Sequence, residues 1–458
     1  MIDFHLIGIG GAGMSVVAEL LLSRGYEVSG SDQAESATLE RLRKLGITAY
    51  AGHAAQQVPA GATVVVSTAV KETNPELAYA KQAGLPVIHR SEALALAANG
   101  MDFIAVAGAH GKTTTSGMLA AAFSALGADP SFAVGGVVTG FGTGAHLGTG
   151  PFFIAEADES DGSFLNYTPR VALVTNVEPD HLDHYGSKAA FEAAFDQFVG
   201  KITAEGALVV CGDDPGARAL GQRALAAGRR VWAYGTQEIL EGAHNLQISA
   251  VELSEQGAHF AVQYEAQTLS VKLNVTGAHN VLNATGALAV GLELGLEPEV
   301  VAGALGAFSG TGRRFEFKGT AAGRRLFDDY AHHPSEVKAA LQQARIVAGA
   351  GKVIVLFQPH LYSRTLNFKT QFTAALELAD QVVLADIYGA REEPQPGVTS
   401  HLLTEGSTKT VFVGELTEAA QVAAGLTGSG DICITMGAGN VTTASAVILP
   451  LWQELAQA

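Results

Sequence analysis

The sequence of 458 residues lacks most of the features that mark secreted, membrane-bound and nucleic-acid-binding proteins. Its two cysteines, Cys211 and Cys433, stand far apart in apolar runs, which excludes a disulfide framework and metal-binding cysteine spacing. The formal net charge is −17, and no basic cluster stands out, so we expect no binding to nucleic acid or to an anionic membrane. With neither a signal peptide nor an apolar span of membrane length, the sequence predicts a soluble cytoplasmic protein.

Aromatic residues are scarce as well, at 7%, whereas glycine is abundant, at 54 residues. This combination favours a fold with many tight turns between strands and helices over a β-sandwich. A hydrophobic fraction of 48% with 16% charged residues is typical of globular proteins. The length suggests about three domains of ordinary size.

Apolar runs and amphipathic stretches alternate along three segments of the chain, which predicts an α/β protein of three successive domains. Residues 1–95 predict a Rossmann-like domain, in which helices cover a parallel sheet. Residues 96–309 predict a P-loop-type mononucleotide-binding domain, and the period-two pattern between Leu246 and Val275 adds antiparallel hairpins to it. Residues 310–458 predict a second Rossmann-like domain.

The most informative motif is a glycine turn that directly follows the apolar run from Phe103 to Ala107. A buried strand that ends in such a turn, with a lysine and hydroxyls opening the next helix, is a common binding site for triphosphates. Lys112 would reach the β- and γ-phosphates of ATP, and the Thr113 hydroxyl would bind Mg2+. The loop is shorter than a standard P-loop, because Val106 stands where that motif has its first glycine. The alternative interpretation is a glycine-rich turn that carries a lysine by chance. The predicted ATP-binding loop comprises Gly108, Ala109, His110, Gly111, Lys112, Thr113 and Thr114.

A second glycine turn lies near the start of the chain, where Gly8, Gly10 and Gly13 follow the first predicted strand and Asp32 follows the second. This is the dinucleotide-binding arrangement, in which phosphates lie at a helix N-terminus and the acid binds a ribose. The fingerprint alone is weak evidence for NAD. An NAD-dependent oxidoreductase is one alternative, although it leaves the loop at Lys112 unexplained.

Acidic residues cluster from Glu156 to Asp161, directly after the strand predicted at Phe152 to Ala155. The carboxyl end of a strand is the ligand-binding edge of an open α/β sheet, so we expect these carboxylates near the triphosphate. Carboxylates beside ATP are typical Mg2+ ligands. A solvated acidic loop is the alternative interpretation.

Three further polar clusters follow predicted strands. The first includes His181, which could ligate a second divalent ion or contact the phosphates. The second runs from Asp328 to Pro334, and the third runs from Gln358 to Thr365. The arginine pair Arg313-Arg314 lies near a predicted domain boundary and can bind anionic groups.

Taken in order, the motifs of the chain resemble those of the Mur ligases, and they lie in all three predicted domains. The motifs are GIGGAGM, AGAHGKTTT, EADESDGSF, NVEPDHLDHYG, GAHNVLNATGA, GTGRRFE, DDYAHHPSEV, QPHLYSRT and IYGARE. Within the family, they are most similar to the member that joins L-alanine to the lactyl carboxyl of UDP-N-acetylmuramate in peptidoglycan precursor synthesis. The resemblance implies ATP and Mg2+, an acyl-phosphate intermediate, and domains that bind the UDP-sugar, ATP and the amino acid in chain order. We expect a monomer or a weak homodimer.

The same resemblance implies roles for individual residues. The catalytic residues would be Lys112, His181, His332 and Arg364. The UDP-sugar would contact Gly10, Gly11, Ala12, Gly13, Met14, Asp32, Ser67 and Thr68. Outside the phosphate loop, ATP would contact Asn280, Asn283 and Arg314. The amino acid would contact Tyr330, His332 and Arg364, and the metal ligands would be Thr113, Glu156 and His181.

Three positions depart from the pattern of the family. Ala109 stands where the phosphate loop usually has a hydroxyl residue, although a cradle of backbone N–H groups tolerates that change. Leu361 stands where many members have an arginine, which leaves an amino-acid contact there unassigned. The segment from Ala189 to Val199 lacks the lysine that several members modify to bridge two metals, so Glu192 or Asp196 would have to replace it.

Two alternatives within ATP chemistry stay open at the level of sequence. One is a Mur-type ligase of different specificity, such as the ligase that recycles a whole tripeptide. The other is a regulatory ATP switch without ligase chemistry, which the metal and acceptor motifs disfavour. A relaxed preference among alanine, glycine and serine is also compatible with the sequence, because these amino acids differ little in size.

Overall fold

The computed structural model describes residues 2–179, 182–237, 240–390 and 392–457. The catalytic and metal-binding role expected of His181 therefore falls outside the described residues. Among the described helices, none has the length and apolar character that a membrane crossing requires.

The chain divides into two compact units. The first unit comprises residues 1–250, 261–271 and 282–308. The second unit comprises residues 251–260, 272–281 and 309–458. The predicted N-terminal domain and most of the predicted central domain thus belong to the first unit.

The N-terminal part of the first unit is a parallel sheet flanked by helices. Its strands are β1 (Phe4–Ile7), β2 (Val28–Asp32), β3 (Thr48–Ala51), β4 (Thr63–Val66) and β5 (Val87–His89). Its helices are α1 (Ala12–Ser23), α2 (Ala37–Lys44), α3 (Pro75–Gln82) and α4 (Arg90–Ala97). The strand order is β3-β2-β1-β4-β5, and each neighbouring pair is parallel. The predicted Rossmann-like alternation is confirmed, and β1 directs the first glycine turn from the middle of the sheet into α1.

The central sheet is mixed. Its strands are β6 (Asp102–Ala107), β7 (Ser131–Val138), β8 (Thr143–His146), β9 (Phe152–Glu156), β10 (Val171–Val174), β11 (Ala207–Cys211), β12 (Arg230–Gly235), β13 (His244–Ser254), β14 (Gly257–Tyr264) and β15 (Gln267–Leu273). Its helices are α5 (Lys112–Ala125), α6 (Leu182–Tyr185), α7 (Lys188–Gly200), α8 (Pro215–Ala226), α9 (Ala278–Glu293) and α10 (Pro298–Ala304).

The order of the central sheet is β15-β14-β13-β12-β11-β10-β6-β9-β7-β8. Two-residue connections join β13 to β14 and β14 to β15, which only antiparallel neighbours allow, so the predicted hairpins are confirmed. Strand β6 is parallel to both of its neighbours, β9 and β10. The loops that follow these three strands therefore meet at one edge of the sheet.

The last part of the chain forms a third sheet. Its strands are β16 (Glu316–Ala321), β17 (Arg324–Asp329), β18 (Val353–Phe357), β19 (Gln381–Ala385), β20 (Thr410–Gly414) and β21 (Ile432–Met436). Its helices are α11 (Pro334–Ala348), α12 (Tyr362–Asn367), α13 (Lys369–Leu376), α14 (Leu416–Leu426) and α15 (Ser445–Gln457). The order is β16-β17-β21-β18-β19-β20, in which β16 is antiparallel to β17 and the other pairs are parallel. The expected α/β class is confirmed, and the antiparallel edge strand is a feature that the sequence did not predict.

Candidate active site

The phosphate loop connects β6 to α5 in a backbone conformation that requires glycine. Gly108 has a φ of 127°, and a Cβ atom placed on it would lie 2.2 Å from the Thr175 hydroxyl oxygen. Gly111 has a φ of 84° and precedes the first residue of α5. Both angles are unfavourable for residues with a side chain. The short loop is therefore a defined turn against the end of β10, with the N-terminus of α5 free of side-chain capping.

Lys112 folds back over this turn. Its Nζ donates to the Gly108 carbonyl oxygen at 2.6 Å and lies 2.9 Å from Oε2 of Glu159, whose side chain is 1% exposed. Burial lowers the pKa of Lys112, but the charges of Glu159 and Asp158 outweigh burial and hold that pKa above its ordinary value. The ammonium is therefore charged and held at the mouth of the turn, where it can bind phosphate oxygens.

The end of β10 fixes the other side of the loop. The Thr175 hydroxyl donates to the His110 carbonyl oxygen at 2.6 Å, and Nδ2 of Asn176 donates to the same oxygen at 2.9 Å. Oδ1 of Asn176 accepts from the His110 backbone N–H at 3.0 Å. The site residues proposed from the sequence include neither Thr175 nor Asn176, which directly follow β10.

The predicted metal ligands present oxygen atoms at the same edge. Thr113 is the second residue of α5 and is 9% exposed, and Glu156 ends β9, the neighbour of β6. Oε1 of Glu156 accepts from the Gly135 backbone N–H at 2.7 Å. A hydroxyl and a carboxylate are ligands that Mg2+ accepts, so these residues fit the ion in chemistry.

The two possible replacements for the bridging lysine, Glu192 and Asp196, both lie on α7. Asp196 pairs with Arg223 at 2.8 Å, and Glu192 lies 3.6 Å from Lys188, one helical turn away. Both carboxylates are more than a third exposed, so these pairs are surface ion pairs.

The N-terminal glycine turn is held by the end of β2. The backbone N–H groups of Gly8 and Ile9 donate to the Ser31 carbonyl oxygen at 2.8 and 2.9 Å, and the Gly10 N–H donates to Oδ2 of Asp32 at 2.8 Å. Asp32 thus binds the turn itself. Gly11 precedes α1 and its helix end has no side-chain cap, which leaves backbone donors for an anion.

The other residues expected at the UDP-sugar lie around this turn or after β4. The side chain of Met14, on α1, is buried. The Ser67 carbonyl oxygen accepts from the Val70 N–H at 3.0 Å, and the Thr68 hydroxyl donates to Oδ2 of Asp161 at 2.8 Å. Ala12 and Gly13 begin α1. Asp161 belongs to the acidic cluster after β9, so this contact joins the N-terminal sheet to the loop that carries Glu159.

In the second unit, two arginines enclose an aromatic ring. The guanidinium carbons of Arg313 and Arg314 lie 4.7 and 5.3 Å from the centre of the Tyr330 ring. Arg313 is anchored by Asp328 at 3.2 Å, and Arg314 lies 3.5 Å from Glu336. These contacts hold two guanidinium groups against the Tyr330 ring, and each guanidinium also pairs with a carboxylate.

The remaining residues expected at the amino acid lie near Tyr330. The Nδ1 atom of His332 lies 3.1 Å from Oε2 of Glu336, and its ring centre lies 5.7 Å from that of His360. Nη1 of Arg364 donates to Nδ1 of His360 at 3.2 Å, and Arg364 is 6% exposed. The structure therefore brings Tyr330, His332 and Arg364 into one polar cluster, in which His360 lies between His332 and Arg364. His360 was not among the site residues proposed from the sequence.

Both predicted adenosine contacts lie on α9. Nδ2 of Asn280 donates to the Thr276 carbonyl oxygen at 2.8 Å, whereas its buried Oδ1 has no hydrogen-bond partner among the described residues. Within the first unit, Oδ1 of Asn283 would lie 3.0 Å from a Cβ atom on Gly111, so Asn283 borders the phosphate loop. Both amides are buried, which suits hydrogen bonding to a ligand.

Leu361, which replaces the arginine of many family members, adopts a left-handed backbone with a φ of 70° immediately before α12. Its side chain is 6% exposed, so the leucine packs inside the second unit. A contact between Leu361 and a charged amino acid would be unfavourable in that setting.

Lowering the pH from 7 to 5 is expected to reduce the free energy of unfolding by about 2 kcal/mol through His332 alone. Burial lowers the pKa of folded His332 to about 3, whereas histidine in an unfolded chain titrates near pH 6.5, at roughly its model value. As the pH falls, the unfolded chain therefore binds a proton first, and the stabilisation present above pH ~6.5 is lost toward pH ~3. Urea unfolding at the two pH values measures this loss.

A His332→Gln variant provides the control, because it should lose about 2 kcal/mol less than the wild type over the same interval. Burial raises the pKa of Asp329 to about 6, so Asp329 acts in the opposite direction and lowers stability as the pH rises from ~4 to ~6. This contribution is present in both proteins and cancels from their difference. Equal pH dependence in both proteins would contradict a neutral, buried His332.

Comparison with known proteins identifies the architecture in which these sites occur. Three Mur ligase family models match the chain: the catalytic domain at residues 3–101, the middle domain at 106–291, and the glutamate ligase domain at 313–439. The UDP-N-acetylmuramate–L-alanine ligase of Renibacterium salmoninarum is 53% identical over 449 residues, which cover 97% of this chain and 95% of that protein.

Solved structures show the same relationship across the whole chain. The UDP-N-acetylmuramate-alanine ligase of Thermotoga maritima is 28% identical, with a TM-score of 0.81 over 99% of this chain and 100% of that chain. A murein peptide ligase from Psychrobacter arcticus is 25% identical, with a TM-score of 0.72 over 99% of both chains.

Proposed function

The chain belongs to the Mur ligase family, and from that premise we propose that it joins L-alanine to the lactyl carboxyl of UDP-N-acetylmuramate at the expense of ATP. The observation that carries the proposal is the 53% identity to an L-alanine ligase over nearly the full length of both proteins. The murein peptide ligase has a lower TM-score than the alanine ligase, 0.72 against 0.81, which favours a single amino acid over a peptide as the second substrate.

The phosphate loop is proposed to hold ATP for activation of a carboxylate. Charged Lys112 and the backbone N–H groups that open α5 would bind the phosphates, while Asn283 borders the loop where the nucleoside would begin. Thr113 and Glu156 would hold Mg2+, which neutralises the negative charge of the transferred phosphoryl group. Phosphoryl transfer requires chiefly alignment and charge stabilisation, and this constellation supplies both.

Two displacement steps account for the proposed reaction. A carboxylate oxygen of UDP-N-acetylmuramate attacks the γ-phosphorus of ATP, and the bond from that phosphorus to the bridging oxygen breaks as ADP leaves. The amine nitrogen of L-alanine then attacks the acyl carbon and loses a proton, and the carbon–oxygen bond to phosphate breaks. The products are the amide, ADP and inorganic phosphate.

Residues of the second unit are proposed to position the amino acid. Arg364 can bind its carboxylate, since a buried guanidinium pairs well with that group. The low pKa of His332, which burial causes, makes this imidazole a poor proton acceptor at neutral pH. We therefore propose that His332 orients the substrate by hydrogen bonding and that the departing proton goes to solvent or phosphate.

Incubating the purified protein with ATP, Mg2+ and UDP-N-acetylmuramate, with and without L-alanine, tests the function. We expect phosphate release to depend on both substrates and the nucleotide product to gain the mass of one alanyl residue. Glycine, L-serine and the tripeptide of the recycling reaction serve as competing acceptors. Phosphate release that does not depend on UDP-N-acetylmuramate would overturn the proposal. A product that carries the tripeptide and never alanine would overturn it as well.

An isotope experiment tests the intermediate independently of specificity. When the lactyl carboxylate carries 18O, attack on ATP moves one labelled oxygen into the released phosphate. Mass spectrometry of the phosphate measures this transfer. Unlabelled phosphate during normal turnover would exclude the acyl phosphate.

A further inference from the structure

Arg90 lies against the N-terminal glycine turn. It is the first residue of α4, directly after β5, and its guanidinium reaches across to Gly13 at the start of α1. A Cβ atom on Gly13 would lie only 2.3 Å from Nη1 of Arg90. The guanidinium therefore occupies the space that a side chain at position 13 would need, and only glycine leaves room for it.

A carboxylate holds the guanidinium in this position. Nη2 of Arg90 donates to Oδ2 of Asp158 at 3.0 Å, and the two side chains are 30% and 37% exposed. Among the described residues, Asp158 is the one side chain that bonds Arg90, so the guanidinium keeps further N–H donors at a partly exposed surface.

Asp158 also connects Arg90 to the phosphate loop. Asp158 is followed directly by Glu159, and Oε2 of Glu159 lies 2.9 Å from Nζ of Lys112. Two adjacent carboxylates of one loop thus pair with two cations, one beside each glycine turn. The hydrogen bond to Asp158 thus orients the guanidinium of Arg90 beside the N-terminal glycine turn.

The turn itself needs a local positive charge. The protein carries a formal charge of −17, and Asp32 places a carboxylate against Gly10 within the same turn. The helix N-terminus offers backbone donors, yet a diphosphate carries about two negative charges at neutral pH and binds best where a guanidinium can form charged hydrogen bonds. Arg90 supplies a guanidinium directly beside this turn.

We propose that Arg90 binds the diphosphate of the nucleotide-sugar through the N–H groups that Asp158 leaves available. The proposal rests on the proposed function, because it assigns the diphosphate of UDP-N-acetylmuramate to the turn beside Gly13. Arg90 is then a substrate-binding residue, and Asp158 is the residue that positions it.

Calorimetric binding of UDP, uridine and an ATP analogue to full-length protein tests the role of Arg90. Replacing Arg90 with methionine should weaken UDP binding by about 10- to 100-fold, which is the usual contribution of charged hydrogen bonds. Uridine lacks the diphosphate, so its binding should change by less than about twofold, and binding of the ATP analogue should be unaffected. Arg90→Lys keeps the charge but loses the fork of donors, so it should fall between the wild type and Arg90→Met.

Arg170→Met is the matched control. Arg170 forms an ion pair of the same type with Asp102 at 2.6 Å, with exposures of 41% and 32%, at the start of β6. Removing this arginine should leave UDP binding at the wild-type level. Equal losses for UDP and uridine in Arg90→Met, or an unchanged UDP affinity, would show that Arg90 only pairs with Asp158 and would overturn the proposal.

Failure of the proposed function would look different. In that case the wild-type protein would bind neither UDP nor UDP-N-acetylmuramate and would form no alanyl product, whatever its affinity for the ATP analogue. When the wild type binds UDP and forms the alanyl product, the Arg90→Met result alone decides the role of Arg90.

Discussion

Replacing Lys112 with alanine is expected to reduce turnover by a factor on the order of 1000 or more while the protein stays folded at room temperature. The Nζ atom lies at the mouth of the glycine turn, and neutral alanine can supply neither its charge nor its reach to a phosphate. Steady-state phosphate release, together with circular dichroism of the same sample, measures both parts. Turnover within tenfold of the wild type would contradict the role assigned to Lys112.

The same substitution should also lower the stability of the fold, and this effect must be separated from the loss of turnover. Glu159 is 1% exposed and pairs with Lys112 at 2.9 Å, so alanine at position 112 leaves a buried carboxylate without its cation. We expect the free energy of unfolding to fall by about 3 kcal/mol. The double variant Lys112→Ala/Glu159→Gln removes the stranded charge and should recover most of that stability, while its turnover stays as low as that of the single variant. Recovery of turnover with stability would mean that Lys112 acts only on the fold.

Gly108→Ala should be the most damaging substitution in the phosphate loop that adds no charge. A Cβ atom would lie 2.2 Å from the Thr175 hydroxyl oxygen, and a φ of 127° is unfavourable for alanine. We expect the free energy of unfolding to fall by about 2–4 kcal/mol. Displacement of the loop should lower turnover by a factor on the order of 100. Urea unfolding and phosphate release measure the two effects.

Gly425→Ala is the control for this experiment. Gly425 lies in α14, and a Cβ atom there would have no neighbour within 4 Å. Alanine favours helix, so this substitution should leave turnover unchanged and raise the free energy of unfolding by up to about 1 kcal/mol. Similar unfolding curves for Gly108→Ala and Gly425→Ala would contradict the strained conformation of the loop.

Buried strands were the elements that the sequence predicted best. The strands predicted at 103–107 and 152–155 are β6 and β9, whose central residues are all buried, and such strands appear as continuous apolar runs of the right length. Strand β3 escaped prediction because only Ala49 of its four residues is buried, which gives no recognisable pattern. Edge strand β16 escaped for the same reason, since pairing on one side does not require a continuous apolar face.

For the candidate site, too, the sequence predicted features that depend on neighbouring residues better than contacts between residues far apart in the chain. The glycine turn and Lys112 were predictable because their chemistry depends on neighbouring residues. The sequence placed the acidic cluster near the triphosphate, but it did not identify Glu159 and Asp158 as the partners of Lys112 and Arg90, because they lie 47 and 68 residues away along the chain. The pairing of β6 with β9 brings Lys112 close to Glu159, and a sequence pattern does not encode such pairings. The domain boundaries and the individual contacts with substrates stay predictions.

The strand order also sets the sequence in which the chain can fold as it leaves the ribosome. Every strand of the N-terminal sheet has been synthesised by residue 89, so that sheet can form early. In the last sheet, β21 lies between β17 and β18 and pairs with both, yet it is the final strand to be made. Until residues 432–436 emerge, β17 and β18 have a gap between them and expose unpaired backbone. The polar cluster around Tyr330, which follows β17, can therefore be completed only after residues 432–436 have been synthesised.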